Sequence, residues 1–297
     1  MGRLDSLAER ARLGEIGRFA PWVQRLLGPG GVLGGAFRLM FRPRLEGWEN
    51  LPASGAYLIV VNHSGGGGAD VAVLAALWAE RFAGAHRLAA MAHPLAFHCP
   101  GIASLVRGLG AIPSSYDHAL ETLRGGTPVL VFPGGDHEAF RPFWQANRVD
   151  FNGRQGFLRL AREAQVPIVP LGLRGASYTN PILWRSKLLA WLLVLPRLLG
   201  LKRFPLTLSG VLGVALLAAA LGPRWGPLAA SLGSWAWLLL PTTFLGPWIP
   251  WTVSGAIGAP LAPAALFGEH PDLGQAHEQV RSAVAQLIRT SASPAAS

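Results

Sequence analysis

The chain has 297 residues, of which 51% are hydrophobic and 14% are charged, and its formal net charge is +10. Soluble domains usually carry roughly 25% charged residues, so this composition favours a protein that is partly embedded in a membrane. The single cysteine excludes an internal disulfide and any cysteine-rich zinc site.

The positive charge indicates a negatively charged partner, either a nucleic acid or an anionic membrane face. Proteins that bind nucleic acids usually carry polar stripes of lysine and arginine with aromatic residues between them. Here the lysines are Lys187 and Lys202 alone, and the basic residues lie among apolar runs. We therefore predict membrane lipids as a partner, and no nucleic acid.

Residues 1–45 are predicted to be a basic, amphipathic segment that associates with a membrane. The first 44 residues contain eight arginines against three carboxylates, and no short charged region leads into an apolar one, so we expect no cleavable signal peptide. Apolar residues recur at helical spacing at Phe19, Trp22, Val23, Leu26 and Leu27. Such a helix either lies in a membrane interface or packs on the protein core.

Residues 46–182 are predicted to be an α/β core. Short apolar runs predict strands at 56–61, 87–92, 110–113, 127–132 and 166–172, and amphipathic runs predict helices at 69–82, 116–124 and 151–165. Strands that alternate with helices indicate a largely parallel sheet with flanking helices.

Residues 183–258 are predicted to be a hydrophobic, Trp-rich membrane hairpin, and they contain seven of the 11 tryptophans. Its arms, 206–221 and 228–245, approach the length of about 20 residues that crosses a bilayer, and Pro223–Pro227 forms the turn. Shallow insertion, or packing as a hydrophobic cap, is the alternative. Residues 259–297 are predicted to be a C-terminal helix followed by a disordered tail.

The central polar motif runs from Asn62 to Asp70 and follows a predicted buried strand. A histidine at the carboxyl end of a strand, with a carboxylate at the start of the next helix, is placed for catalysis in an open α/β sheet. His63 can act as a general base, and Asp70 can hold its tautomer and stabilise the imidazolium. The alternative is a structural histidine without a catalytic role.

Other functions of these residues fit less well. A phosphate-binding loop ends in Gly-Lys-Ser/Thr, whereas no lysine precedes Lys187. The spacing of His86, His93 and His98 matches no standard zinc site. We therefore predict no metal site and no bound cofactor.

A second polar motif follows the strand predicted at 127–132. The Pro133–Gly135 turn is predicted to expose backbone N–H groups, and Asp136, His137, Glu138 and Arg141 follow it. Exposed N–H groups near a base suit an oxyanion or a phosphate. A polar loop without a special role is the alternative.

Four motifs occur together in order: Gly-Trp-Glu-Asn-Leu-Pro from Gly47, Asn-His-Ser with a following Asp, Phe-Pro-Gly-Gly with Glu138, and Val-Pro-Ile-Val-Pro from Val166. Over residues 47–175 this arrangement resembles the lysophospholipid/glycerol acyltransferase superfamily. The resemblance implies acyl transfer from acyl-CoA or acyl-carrier protein to the hydroxyl of a glycerolipid or other lipid alcohol. His63 and Asp70 would be catalytic. The substrate-binding residues would be Ser64, Gly134, Gly135, Glu138, Arg141 and Arg154.

Three departures from the family pattern matter. His63 and Asp70 are separated by six residues where the family has four, and glycines can loop out the extra two. Gly134 replaces a glutamate, and Ser114–Ser115 replace an arginine that members with phosphate-bearing acceptors carry. The chain therefore resembles the branch with diacylglycerol- and phytol-acylating enzymes, although Arg141, Arg148 or Arg154 could supply a relocated phosphate contact.

These features together predict a membrane-associated enzyme of phospholipid or neutral lipid synthesis. Its active site is expected to face the cytoplasm, on a bacterial inner membrane. A neutral lipid alcohol is favoured slightly over lysophosphatidic acid as acceptor. The alternative of a different class is a non-catalytic lipid-binding or scaffold protein that keeps the acyltransferase fold.

Overall fold

The computed structural model describes residues 14–63, 68–98, 101–198, 202–240, 243, 246, 249–268 and 272–291. The strands are β1 (Arg44–Glu46), β2 (Leu58–Val61), β3 (Ala89–Ala92), β4 (Ile112–Pro113), β5 (Val129–Val131), β6 (Ile168–Arg174), β7 (Ile182–Ser186), β8 (Phe204–Thr207) and β9 (Ser254–Ile257).

The helices of the described chain surround these strands. They are α1 (Pro21–Leu27), α2 (Val32–Phe41), α3 (Ala69–Phe82), α4 (Ile102–Gly108), α5 (Tyr116–Arg124), α6 (Gly135–Ala139), α7 (Gly156–Ala164), α8 (Lys187–Leu192), α9 (Leu195–Leu198), α10 (Leu208–Leu239), α11 (Pro263–Phe267) and α12 (Leu273–Thr290).

The main sheet has the strand order β1-β9-β6-β2-β5-β3-β4. Neighbouring strands pair in parallel except β6 and β9, which are antiparallel. The predicted α/β fold with a largely parallel sheet and flanking helices is confirmed. A separate two-stranded sheet pairs β7 with β8.

Strand β2 lies at the centre of the sheet because all four of its side chains are apolar and buried. Alternate residues face opposite layers, as a strand requires. Leu58 and Val60 pack among residues of α5, α7 and α12, whereas Ile59 and Val61 pack with Leu74 of α3 and its neighbours. Helices therefore cover both faces, and the carboxyl end of β2 opens at the edge of this sandwich.

Several boundaries differ from those that the sequence predicts. The helix expected at 151–165 begins at Gly156, after a turn. The hydrophobic segment predicted for 183–258 also contains β9, which belongs to the main sheet, so its boundary is corrected to end before Ser254. The small apolar residues of β9 carry no charge and therefore look like membrane sequence. A Cβ at Gly255 would lie 2.5 Å from the carbonyl oxygen of Gly172, so glycine permits the close approach of β6.

The N-terminal helix α1 packs on the protein core along one face. Val23 and Leu27 are buried against Ala79 of α3, as one of the two sequence-based alternatives predicts. Trp22 and Leu26 on the same helix stay more than one-third exposed. Contact with a membrane through that second face stays a prediction.

Helix α10 is a hairpin of two antiparallel arms. The backbone reverses at Gly226, with φ 83° and ψ 174°, between two prolines within the helix. A Cβ at Gly213 of the first arm would meet the ring of Trp237 at 2.0 Å, and one at Gly233 of the second arm would meet Leu221 at 2.7 Å. Glycines on facing surfaces thus let the two arms approach closely.

The outer surface of this hairpin is apolar and exposed. Counted through the reversal at Gly226, its 32 residues make it the one helix of the described residues long and apolar enough to cross a membrane, and only 11% of its most apolar window is buried. Exposed large side chains on the hairpin are Leu212, Leu216, Trp225, Leu228, Leu232 and Trp235. The second arm was expected to reach residue 245, whereas helix α10 ends at Leu239 with Leu240 as its C-cap; residues 241–242 and 244–245 lie outside the described residues.

The C-terminal helix begins at an Asp272 cap, whose carboxylate accepts hydrogen bonds from the N–H groups of Gly274 and Gln275. It buries Val280, Val284 and Ile288 in the core beneath the sheet. The helix is therefore part of the α/β core, which its sequence alone did not indicate. The predicted disordered tail at residues 292–297 lies outside the described residues.

Candidate active site

Two polar segments meet at the carboxyl ends of neighbouring strands. Strand β2 leads into Asn62 and His63, and β5 leads into Phe132 and the turn before α6. From β2 the chain proceeds to β3 on one side, whereas from β5 it proceeds to β6 on the other side. Such a reversal of direction opens a crevice in which α/β proteins usually bind ligands.

Asn62 fixes the backbone at the entry to this crevice. Its side-chain amide donates to the carbonyl oxygen of Leu173 and its oxygen accepts from the N–H of Leu173, both at 2.8 Å. The side chain is 2% exposed, so both of these hydrogen bonds are shielded from water. The pair ties the end of β2 to β6 and holds the next residue, His63, in place.

His63 and Asp70 are brought together as the sequence predicts. Nδ1 of His63 lies 2.6 Å from Oδ2 of Asp70, and the other carboxylate oxygen accepts from the N–H of Val71. Asp70 is fully buried in the first turn of α3, whereas the His63 side chain keeps 14% of its surface exposed. With Nδ1–H directed to the carboxylate, Nε2 is the ring nitrogen available to accept a proton.

The surroundings of His63 favour its protonated form. Burial alone would lower the pKa of His63, but the charge and hydrogen bond of Asp70, together with the charge of Glu138, raise it above its ordinary value. The ring also stacks on Phe132, with 4.4 Å between the ring centroids and 29° between the planes. These contacts fix the orientation of the imidazole.

Glu138 joins the two polar segments through backbone hydrogen bonds. Its Oε2 accepts from the N–H of His63 at 3.0 Å, and its Oε1 accepts from the N–H of Asp150 at 2.8 Å. Burial raises the pKa of Glu138 to about 7, while these two hydrogen bonds and the charge of Arg141 oppose the rise. The Glu138 carboxylate therefore holds the main chain of His63 in position.

Gly134 makes room for the Glu138 carboxylate. A Cβ at position 134 would lie 2.3 Å from Oε2 of Glu138 and 2.5 Å from its Cδ. The family that the sequence resembles has a glutamate at position 134. In this chain the carboxylate next to position 134 belongs to Glu138, about one helical turn further along. The departure at Gly134 thus accompanies a carboxylate supplied by Glu138.

Gly135 and the turn around it are already hydrogen-bonded. The N–H of Gly135 donates to the carbonyl oxygen of Phe132 at 3.1 Å. Because Pro133 has no N–H, Gly134 is the residue of this turn whose N–H could still face a ligand. Gly135 has φ +49°, and a Cβ there would lie 2.5 Å from Nη1 of Arg154. Binding of substrate by either glycine stays a prediction.

Arg141 is paired inside the protein. It donates to the carbonyl oxygen of Arg148, and its Nη2 lies 3.6 Å from Asp150, which also pairs with His137 at 3.0 Å. Burial alone would raise the pKa of Asp150, but hydrogen bonds from His137 and the N–H of Asn152, with the charges of His137 and Arg141, hold it below its usual range. Arg141 therefore serves this network, and its contact with substrate stays a prediction.

Arg154 is more open than Arg141. It donates to the carbonyl oxygen of Pro133 and pairs with Asp136, each at 3.1 Å, and nearly half of its side chain is exposed. The guanidinium thus braces the turn that precedes α6 and still faces solvent. Ser64, also predicted to bind substrate, lies outside the described residues.

Sequence reasoning included Asn62 and Phe132 in its motifs but gave neither of them a role in the site, and it did not single out Asp150. Asn62 and Phe132 directly follow strands, which is the one local signal that could have identified them. Asp150 comes from a loop without regular structure, so its contact with Glu138 depends on the tertiary fold. Among the described residues, no group of three or more His, Cys, Asp or Glu side chains could hold a metal ion.

A narrow apolar cavity of about 60 Å³ reaches the site from the α3 side of the sheet. Phe132, which stacks on His63, forms part of its wall. The other lining residues are apolar as well and include Ile59, Val71, Leu74, Trp78 and Leu130. His63 itself does not line the cavity, and Phe132 connects the two because it lies in the cavity wall and stacks on the imidazole. An apolar space next to a polar site can hold part of a hydrocarbon chain.

Comparison with known proteins agrees with the motifs. The model of the family described as Acyltransferase matches residues 42–174, which confirms the resemblance seen over residues 47–175. An uncharacterized protein of Mycobacterium tuberculosis is 32% identical over 185 residues, covering 61% of this chain and 50% of that protein. The chain thus spans about half the length of the curated relatives that it matches.

A bovine protein named as a DGAT1/2-independent enzyme synthesizing storage lipids is 28% identical over 149 residues, covering 50% of this chain and 43% of that protein. The crystal structure of the 1-acyl-sn-glycerophosphate (LPA) acyltransferase PlsC from Thermotoga maritima aligns with a TM-score of 0.46 and 18% identity. That alignment covers 89% of this chain and 78% of the other.

Proposed function

We propose that the protein transfers a fatty acyl group from a thioester donor to the hydroxyl of a lipid alcohol, in keeping with the match of residues 42–174 to the acyltransferase family model. The hydroxyl oxygen attacks the thioester carbonyl, the C–S bond breaks, and the products are an ester and a free thiol. The observation that carries this proposal is the His63–Asp70 pair, at 2.6 Å, in the crevice at the carboxyl edge of the sheet.

His63 is the general base of this reaction. Nε2 takes the hydroxyl proton as the oxygen attacks, and the imidazolium then returns a proton to the leaving thiolate. Asp70 stabilises the imidazolium, and its complete burial strengthens that interaction because little water screens it. Glu138 acts as a positioning residue, since it holds the main chain of His63 and not the reacting atoms.

The apolar cavity between α3 and the sheet holds only the part of the acyl chain next to the thioester, because its volume is about 60 Å³. Its carbonyl end then lies beside Phe132 and His63, where the base can reach the attacking hydroxyl. Ile59, Val71 and Leu74 contact the first methylenes. Each methylene that the cavity removes from water favours donor binding by about 0.8 kcal/mol.

The favoured acceptor is a neutral lipid alcohol, such as a diacylglycerol, rather than lysophosphatidic acid. Arg141 donates through Nη1 to the carbonyl oxygen of Arg148, and its Nη2, which makes no hydrogen bond with the described residues, is buried 3.6 Å from Asp150. The guanidinium is therefore turned into the protein and poorly placed to clamp a phosphate. Ser114–Ser115 stand where the phosphate-acceptor members carry an arginine. Ser115 caps α5 instead, because its hydroxyl accepts from the N–H of His118. The bovine relative is named as an enzyme synthesizing storage lipids, which supports this choice of acceptor.

The protein acts at a membrane surface, and the exposed hairpin α10 inserts into the bilayer. Its apolar side chains favour hydrocarbon, and tryptophans such as Trp225 favour the interface. The net charge of +10 attracts the anionic cytoplasmic leaflet, so the active site faces the cytoplasm. The lipid acceptor then reaches His63 without leaving the membrane.

A lipid-product screen tests this function. Purified protein in detergent or vesicles is given labelled long-chain acyl-CoA with diacylglycerol, lysophosphatidic acid and long-chain alcohols in separate reactions. The proposal expects labelled ester with the neutral acceptors, and no ester when His63→Ala replaces the wild type. A protein that binds these lipids yet forms no ester with any acceptor would be a scaffold instead.

A further inference from the structure

A cavity of about 370 Å³ beside α6 is strongly basic and has no role in the chemistry described above. Asp136 and His137 of α6 line it, whereas Glu138, which contacts His63, does not. Its charged lining is Asp136, Arg154, Arg185, Lys187, Lys202 and Arg203. Five cations therefore face one carboxylate, which leaves four positive charges in excess.

The strand pair β7–β8 assembles most of these cations. Arg185 pairs with Pro205 and Ser186 with Phe204 in the antiparallel register. Lys187 follows β7, while Lys202 and Arg203 precede β8, so the pairing brings these side chains to one end of the two-stranded sheet. All four of the cations that this pair contributes lie beyond residue 174, outside the segment that the family model matches.

Carboxylates near these cations are too few to neutralise their charge, so the cations repel one another. In the described part of the chain, Lys187, Lys202 and Arg203 have no ion-pair partner within 4.0 Å. Burial, followed by the charges of Arg203 and Arg141, lowers the pKa of Arg185. Like charges held together destabilise the free protein, and an anionic ligand would relieve that repulsion.

The cavity is linked to the active site through a single short helix. Arg185 donates to the carbonyl oxygen of His137 at 3.0 Å, and Arg154 pairs with Asp136. The next residue of the same helix, Glu138, accepts from the N–H of His63. A ligand anchored in the cavity is therefore held close enough to extend a flexible arm towards His63.

We propose that this cavity binds the phosphate groups of coenzyme A, the carrier portion of the acyl donor. Coenzyme A bears a phosphomonoester and a diphosphate, with roughly four negative charges near neutral pH, which matches the excess of four cations. Its pantetheine arm would then carry the thioester from the cavity to His63. The inference rests on the proposed acyl transfer and names the donor for it.

A lipid phosphate fits this cavity less well. A phosphatidyl headgroup brings one phosphate with one or two charges and two acyl chains, whereas Phe140 is the single large apolar side chain among the described lining residues. A cavity lined by arginine and lysine suits several phosphate oxygens at once. A nucleotide also offers an aromatic base, for which Phe140 provides a stacking surface.

Binding of free coenzyme A to the detergent-solubilised full chain tests this assignment by isothermal titration calorimetry, without acceptor or turnover. The test variant is Lys202→Ala/Arg203→Ala. Its matched control, Arg159→Ala/Arg162→Ala, removes two exposed arginines of α7 that lie outside the cavity. Thermal unfolding checks the fold of both, and Lys187→Ala serves as a second test variant.

The Kd for coenzyme A is expected to rise about tenfold or more in the test variants, the effect of losing charge-assisted contacts. The control keeps the wild-type Kd, and 3′-dephospho-coenzyme A binds the wild type more weakly. An unchanged Kd in Lys202→Ala/Arg203→Ala overturns the assignment.

Two other results also overturn it. One is a raised KM for a phosphate-bearing acceptor with unchanged coenzyme A affinity, which would place a lipid phosphate in the cavity. The other is lost use of acyl-carrier protein with unchanged coenzyme A affinity. All variants keep His63 and Asp70, so turnover at saturating donor reports the proposed acyl transfer separately from this binding site.

Discussion

Replacing Gly134 with alanine perturbs the site at one defined point. Position 134 has ordinary helical angles, φ −65° and ψ −28°, so alanine introduces no backbone strain there. The new Cβ would lie 2.3 Å from Oε2 of Glu138 and 2.5 Å from its Cγ and Cδ. The carboxylate that holds the N–H of His63 must therefore move.

The size of the effect follows from this contact. Overpacking a buried site by one methyl group typically costs about 1–3 kcal/mol of unfolding free energy. A loss of this size lowers Tm by about 2–12 °C at the sensitivity of domains with 150–250 residues. Displacing the main chain of His63 by about 1 Å is expected to reduce kcat by about 10- to 100-fold.

Gly156→Ala is the matched control. It lies at the start of α7 and has no atom within 4 Å of the added Cβ. Alanine is the better helix former by about 1 kcal/mol, so this variant should be as stable as the wild type or slightly more stable. Thermal unfolding and acyl-transfer rates of both variants provide the measurement.

A double-mutant cycle identifies the contact that is responsible. In a Glu138→Ala background, Gly134→Ala is expected to lose most of its penalty, because the clashing carboxylate is gone. In a Glu138→Gln background the penalty should persist, since the side chain keeps its size. Gly134→Ala with the Tm and kcat of Gly156→Ala would refute the proposed role of this contact.

Three further predictions concern charge and the membrane. Asp70→Asn should leave weak activity and shift the acidic limb of the pH–rate profile to lower pH. The reason is that Asp70 raises the pKa of His63 and the neutral imidazole is the active base. An acidic limb that does not move would argue against the His63–Asp70 pair. Arg141→Ala should lower the unfolding free energy by about 1–3 kcal/mol, whereas Arg148→Ala, which keeps the acceptor carbonyl, should not. Replacing 208–239 with a short Gly/Ser loop should release the protein from membranes at high salt, and wild-type protein released by a carbonate wash would contradict an inserted hairpin.

The sequence predicts the parts of the fold that depend on local pattern. The helices at Ala69–Phe82 and Tyr116–Arg124 have the predicted bounds, because an amphipathic run and its ends are encoded nearby. Strand β9 was missed because Ser-Gly-Ala-Ile has neither the length nor the bulk of a typical strand. Its place is decided by partners 80 to 86 residues earlier in the chain.

The same distinction applies to the site. The His63–Asp70 contact could be predicted, because a strand end and the next helix start place both residues together. The contact of Glu138 with the backbone of His63 joins residues 75 positions apart, and its dependence on Gly134 is a matter of tertiary packing. Likewise, the basic cavity forms only because β7 and β8 pair in a particular register.

Turnover of purified His63→Ala protein tests the central claim most directly. The reaction uses labelled acyl-CoA and the acceptor that the wild type uses best, with Tm measured on the same sample to establish the fold. Loss of the general base is expected to lower kcat by about 100- to 10,000-fold while Tm stays near the wild-type value. A folded His63→Ala variant that forms the ester at the wild-type rate would contradict the account.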